Sequence, residues 1–364
     1  EAGSVDARAC LRTVDALSEE ALMRARARLN PGAGVLVSAV WASATSQLAL
    51  IIHHLAVDGV SWRTLIEDLN IAWAQHHSGQ PVALPVGGTS FARWSSLLAE
   101  HAKDPAVLEQ AGAWQEVVAT PPTLPAAGPE DTYANAGQLS AALDVETTRL
   151  LLGEVPAAFH AGVQDVLLIA FGLAWNEFLG AAGAPIGISV KGHGRAEELR
   201  RDVDLSRTVG WFTSKYPVAL TVGELPWAHV AAGGAALGPL IAAALERLRA
   251  MPGGLTYGLL RYLNPEVGLA GSEPAIEFNY LGRFDADAAV LSEHLWRVDE
   301  DAMATIPAAS AIPTPLGHTV EFNAALLDTG TGQRLHTTWT WAPSALDEEQ
   351  IQRLNRLLFE ALTG

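Results

Sequence analysis

The sequence predicts a mixed α/β (α+β) fold in two lobes, and three observations carry that prediction. Short apolar runs bounded by turn residues alternate with amphipathic helical stretches in both halves of the chain. The 364 residues exceed what a single hydrophobic core usually serves. A proline-rich connector, Pro121 to Pro129, closing on Gly128-Pro129-Glu130-Asp131, interrupts the alternation. It divides the chain into an N-terminal lobe over residues 1–135 and a C-terminal lobe over residues 136–364, with no short-period repeat in either.

The elements follow in order. Leu48 to Ile52 reads as a buried strand that stops at the polar turn around Asp58 and Gly59. Trp62, Leu65, Ile66, Leu69 and Trp73 then recur at three- and four-residue spacing, the apolar face of a helix ending near Ser78-Gly79. Pro81 to Gly88 is a loop, and Thr89 or Ser90 can cap a helix carrying Phe91, Trp94, Leu97 and Leu98. Trp114 sits in another helical stretch. Beyond the connector come a short strand from Gly137 to Leu143, a helix from about Val145 to Leu152, and an apolar helix from Val163 to Leu179 that a globular interior would bury. A strand over Ile186 to Val190 follows. Ala231 to Ala244 is rich in alanine and glycine, but it runs into Leu245-Glu246-Arg247-Leu248-Arg249 and reads as helix. Strands are expected at Ala275 to Leu281, Thr319 to Leu327 and Leu335 to Trp341. In the last, Leu335, Thr337, Trp339 and Trp341 alternate with His336, Thr338 and Thr340. A helix starting at Ser344, with Asp347 in its first turn, closes the chain on Ile351, Leu354, Leu357, Leu358 and Leu362.

Composition excludes several classes of function. A net charge of −17 and the absence of any basic run argue against a nucleic-acid surface. Cys10 is the only cysteine, which rules out an internal disulfide and a thiolate metal cluster. No other ligand cluster stands out, so no metal is expected. Glu1 to Arg8 does not have the pattern of a secretory leader, and the ten apolar residues Val166 to Trp175 are too few to span a bilayer. A soluble, cytoplasmic protein is the expectation.

The chemistry concentrates at Ile52-His53-His54-Leu55-Ala56-Val57-Asp58-Gly59-Val60-Ser61-Trp62. At the end of a strand, neighbouring side chains point to opposite faces, so His53 and His54 would not share one cavity and one of them should be structural. Asp58 is placed to orient a histidine or pair with an arginine, and Gly59 would let the backbone turn closely. An imidazole is the usual general base near neutral pH, here expected in a buried channel. A satisfied core histidine beside a helix start is the plainer alternative from these residues alone.

The segment His53-His54-Leu55-Ala56-Val57-Asp58-Gly59-Val60-Ser61-Trp62 resembles the signature of the condensation superfamily of nonribosomal peptide synthetases, and its serine-tryptophan ending resembles the epimerization branch. Four further segments agree in order: Gly192-His193-Gly194-Arg195, Arg207 to Pro217, Leu255-Thr256-Tyr257-Gly258, and Phe278-Asn279-Tyr280-Leu281-Gly282-Arg283. The resemblance runs from about Leu29 onward. The family's opening motif is not found, so the chain is expected to be N-terminally incomplete.

The resemblance implies two chloramphenicol-acetyltransferase-like lobes in a V-shaped pseudo-dimer, with the active site in a tunnel between them. It implies a peptidyl carrier protein as partner, presenting an aminoacyl or peptidyl thioester on its phosphopantetheine arm, and inversion of that group from L to D at Cα. No cofactor of the domain's own is implied, and an isolated domain is expected to be monomeric. By motif position His54 is the general base, Asp58 an organising residue, and Asn279 and Tyr280 active-site polar groups. Ser61 and Trp62 either shape the tunnel or serve as helix start and core. Arg195 either pairs with a carboxylate or is a solvated surface residue, and Arg207 to Pro217 is expected to line the lobe interface.

One position departs from the pattern. Lys191 stands where the family has a glutamate as second acid/base. Unperturbed glutamate titrates at about 4.3 and lysine at about 10.4, so the exchange inverts the resting charge. A protonated lysine can donate a proton but is a poor acceptor at neutral pH. The resemblance therefore leaves three functions in view: an active epimerase, a catalytically silent docking domain, and a condensation-type acyltransferase.

Overall fold

Apolar residues pairing across Val37–Ala42 and Gln47–Ile52 build the first sheet. The computed structural model describes residues 6–284, 296, 314–329 and 332–364. They fall into two compact units. The first contains residues 6–94, 195–213 and Trp296; the second contains 95–194, 214–284, 314–329 and 332–364. This is not the expected division at 135/136. The connector Pro121 to Pro129 lies wholly within the second unit, and Arg195–Thr213 returns to the first. A proline-rich composition marks where a helix stops, which need not be where a core ends.

In the first unit, β1 (Leu11–Val14), β2 (Val37–Ala42) and β3 (Gln47–Ile52) lie in that order, β1 parallel to β2 and β2 antiparallel to β3. The short, mostly exposed β1 gives no alternating signal. The helix Gly59–His77 begins on Asp58 and ends at Ser78, as its spacing predicts. Its buried positions are Ser61, Thr64 and Asn70, however, while Trp73 is 40% exposed. Asn70 is drawn in because its amide exchanges two hydrogen bonds with the backbone of Trp296. Ser90 caps the helix Phe91–His101 by accepting from the Arg93 N–H, and Thr89 instead bonds the Asp204 N–H.

The second unit is built on a six-stranded mixed sheet. Its strands are β4 (Gly137–Ala142), β5 (Ile186–Gly192), β6 (Ser214–Leu220), β7 (Ile276–Phe284), β8 (Val320–Thr329) and β9 (Gly332–Trp341). They run in the order β4-β9-β8-β7-β5-β6, with β5–β7 and β7–β8 parallel. Pro217 sits in the edge strand β6, where its missing N–H is tolerated. Strand alternation makes the sheet amphipathic. Ile188, Val190, Phe278, Phe322 and Trp339 form the core face under the helix Val163–Leu179, whose Phe171 ring lies 5.0–5.7 Å from the rings of Phe278, Phe322 and Trp339. Ser189, Lys191, Glu277, Asn279, Glu321 and Asn323 occupy the other face by register.

Two expectations shift at the level of caps. The alanine-rich stretch is broken into Trp227–Ala231 and Leu237–Ala250, because the backbone turns left-handed at Gly233 (φ +61°). The closing helix is Glu348–Thr363: Asp347 is its N-cap, forming a capping box with Gln350, and the Ser344 hydroxyl bonds Asp131 instead. No single helix among the described residues is long and apolar enough to cross a membrane.

Candidate active site

β3 ends at Ile52, and the His53 N–H bonds the Leu36 carbonyl. A short 3-10 turn, His54–Ala56, follows, so the two histidines are not consecutive strand residues. His53 caps this turn, its Nδ1 accepting from the Leu55 N–H at 3.2 Å. His54 is carried outward, its ring 4.7 Å from that of Trp211. It is exposed rather than enclosed in a buried channel, because the turn lifts it off the end of the sheet.

Behind it the polar groups are locked. Asp58 is the N-cap of the helix Gly59–His77, and its Oδ1 accepts from the Ser61 N–H at 2.7 Å. Its Oδ2 accepts from the Phe212 N–H at 3.2 Å, and Arg195 Nη2 reaches Oδ1 at 3.2 Å. The Ser61 hydroxyl, fully buried, lies 2.7 Å from Asp58 Oδ1 and 2.9 Å from the Gly210 carbonyl, and it accepts the Gly210 N–H at 3.1 Å. The Arg195 side chain is 9% exposed, so it is not a solvated surface residue. It spans the carbonyls of Leu205 and Thr208 and packs its guanidinium 4.0 Å over the Phe212 ring. The segment Arg195–Thr213 is thereby fastened to the turn that bears His54. Gly59 is not needed for a tight turn: it has ordinary helical backbone, and a Cβ there would meet nothing within 4 Å.

Gly210 is constrained, since a Cβ there would lie 2.3 Å from Phe91 Cδ2. Gly210→Ala should therefore lower stability by about 1–2 kcal/mol through overpacking. Thermal unfolding checks this, and in a Phe91→Ala background the same substitution should cost much less.

The second unit holds the other sequence-predicted residues. Lys191, in β5, donates to Glu277 Oε1 at 2.8 Å; its side chain is 31% exposed and that of Glu277 only 4%. His318 Nε2 lies 3.1 Å from Glu277 Oε2, and its Nδ1 lies 2.7 Å from the Pro274 carbonyl. Asn279 neighbours Lys191 in register and donates to Asn323 Oδ1 at 2.8 Å. Tyr280 does not join them: as the next residue along the strand it faces the hydrophobic core, and burial raises its pKa. Only Asn279 of the pair therefore shares the face of Lys191.

Glu277, His318, Glu321 and Tyr133 were not singled out in the sequence. Tyr133 donates to both oxygens of Glu321 at 2.8 and 3.0 Å, and burial with that carboxylate beside it holds the phenol above its ordinary pKa. The available signal was Glu277 itself, a charge between Ile276 and Phe278 in a strand whose neighbours are buried.

Burial alone would raise the Glu277 carboxyl. The His318 hydrogen bond and the charges of Lys191 and His318 outweigh it and bring the pKa from 4.5 to about 2. A depressed carboxyl stabilises the fold fully above pH 4.5 and loses that contribution as pH falls toward 2. The difference amounts to about 3 kcal/mol. Glu277→Gln should flatten the acid side of the stability profile over this range, as measured by urea unfolding at successive pH values.

The family model described as Condensation domain matches residues 12–360. A linear gramicidin synthase of Brevibacillus parabrevis is 36% identical over 359 residues, 94% of this chain and 4% of that protein. Chondramide synthase cmdD of Chondromyces crocatus is 42% identical over 250 residues, 66% of this chain and 6% of that protein. The chain thus spans a small part of the curated relatives it matches. Among solved structures, the epimerization domain from the third module of tyrocidine synthetase B superposes with a TM-score of 0.79 and 28% identity, over 97% of this chain and 78% of that one. The X-domain from teicoplanin biosynthesis shares the fold, with a TM-score of 0.63 and 18% identity over 97% and 78%.

Proposed function

Because this chain belongs to the condensation domain family, we propose that it epimerises Cα of an aminoacyl or peptidyl group held as a thioester on the phosphopantetheine arm of a carrier protein domain. The observation that carries this reading is the exposed His54 imidazole standing on a turn that Asp58, Ser61 and Arg195 lock in place. The likeness to an epimerization domain along nearly the whole chain supports it.

In this reading the His54 imidazole accepts the α-proton, and the electron pair of the broken C–H bond moves into the thioester carbonyl as an enolate. A proton returns to Cα on the opposite face, the enolate electrons form the new C–H bond, and solvent resets the donor and the base; Lys191 is the proposed donor because it stands at the family's glutamate position. Asn279, with one amide N–H not committed to Asn323, is suited to the enolate oxygen. Asp58 and Arg195 position and transfer no proton. The domain needs no cofactor of its own in this scheme, and a cytoplasmic monomer working within a synthetase belongs to the same proposal.

The test is a carrier protein loaded with an L-aminoacyl arm, incubated with the domain in D2O and followed for chirality and α-deuterium. Inversion with deuterium uptake is expected; absence of both would overturn the reading. The Lys191–Glu277 pair favours a second reading, a catalytically silent docking domain, which absence of exchange would support. Peptide-bond formation with a second loaded carrier would point to an acyltransferase instead.

A further inference from the structure

Lys191 stands at one end of a line of alternating charge on the polar face of the second unit's sheet. Lys215, directly opposite Lys191 in the β5–β6 register, pairs with Glu273. His318 lies 3.8 Å from Glu273 and 3.1 Å from Glu277, and Glu277 pairs with Lys191. Asn279 adjoins Lys191, and Glu321, bonded to Tyr133, adjoins Glu277 across β7–β8. Two lysines facing each other would repel, but each has a carboxylate beside it, and the carboxylate at Lys191 is nearly closed to solvent.

Two consequences follow from this geometry. Removing the Lys191 ammonium would leave a carboxylate of 4% side-chain exposure without its cation. Placing a glutamate at 191 would set two carboxylates side by side on one face of adjacent strands.

We infer that Glu277 is the positioning residue of Lys191, holding its ammonium in place through one of its three N–H donors, so that a glutamate at 191 works only when the charge at 277 is removed. The acid/base reading of Lys191 comes from the function proposed above; the coupling between 191 and 277 does not depend on it.

A two-by-two set of parent, Lys191→Glu, Glu277→Gln and the double variant tests this through three measurements. In thermal unfolding, Lys191→Glu should lower Tm and the double variant should recover it. In α-deuterium exchange on a loaded carrier, Lys191→Glu should fall at least tenfold, and the double variant should exceed it at least tenfold. In acetylation at a single pH, read by mass spectrometry, Lys191 should be labelled several-fold faster in Glu277→Gln than in the parent, a change that a purely structural role for Glu277 would not produce. Lys191→Glu as stable as the parent, with no gain from adding Glu277→Gln, would overturn the inference, as would an unchanged acetylation rate. A parent without exchange but with the expected Tm coupling and faster acetylation would sink the epimerase reading and leave the inference standing. Should Glu277→Gln not fold, Lys191→Met replaces it: a fall in Tm cancelled by adding Glu277→Leu supports the link, and independent effects refute it.

Discussion

His54→Ala is expected to reduce α-deuterium exchange on a carrier-bound aminoacyl thioester by about 10³-fold, within the range that general acid/base groups contribute. Its physical basis is a division of labour within the turn. His53, Asp58 and Ser61 are committed to backbone and to one another, whereas the His54 imidazole is exposed and rests against Trp211. Removing an exposed ring should change stability by no more than about 0.5 kcal/mol. Loss of exchange with an unchanged Tm therefore identifies a chemical role. His53→Ala should give the reverse pattern, a measurable loss of stability with partial exchange, because it removes the acceptor that caps the turn. Exchange that survives intact in His54→Ala would remove His54 from the mechanism.

Arg195→Ala is expected to cost about 3–5 kcal/mol of stability in the first unit, the range for breaking a buried ion pair from one side. Asp58, at 5% side-chain exposure, would lose its cation, and the carbonyls of Leu205 and Thr208 would lose their donor. Arg195→Lys should recover little. An ammonium has no planar fork to span two carbonyls, Asp58 and Ser61 together, and it cannot lie flat on Phe212. Exchange should fall with stability, since the segment Arg195–Thr213 that carries Trp211 would come loose from the His54 turn. Urea unfolding measures the first effect and the loaded-carrier assay the second. A loss under 1 kcal/mol would show that the pair is solvated after all.

Much of the fold was readable because its long elements carry strong periodicity. The apolar helix Val163–Leu179 and the alternating strand Leu335 to Trp341 need no partner to be recognised, since burial on all sides and burial on one side leave different patterns. Leu11–Val14 was missed because a four-residue, mostly exposed strand leaves no pattern at all. The division into units was misplaced for a related reason: chain that leaves one core and returns to it, as Arg195–Thr213 does, carries no compositional mark of the crossing.

At the site the same contrast holds residue by residue. The family, the candidacy of His54 and the anomaly of Lys191 are legible in the chain alone, because they rest on which residue stands at which place in an ordered set of motifs. Their surroundings come from folding. It turned Arg195 from a possible surface residue into the cation of Asp58, put Tyr280 on the core face while Asn279 stayed on the polar one, and brought Glu277 and His318 to Lys191. The reason is physical. Motif identity is local in the chain, whereas charge compensation and the face a side chain takes depend on strand register, which joins residues 86 positions apart in the Lys191–Glu277 pair and cannot be summed from neighbours.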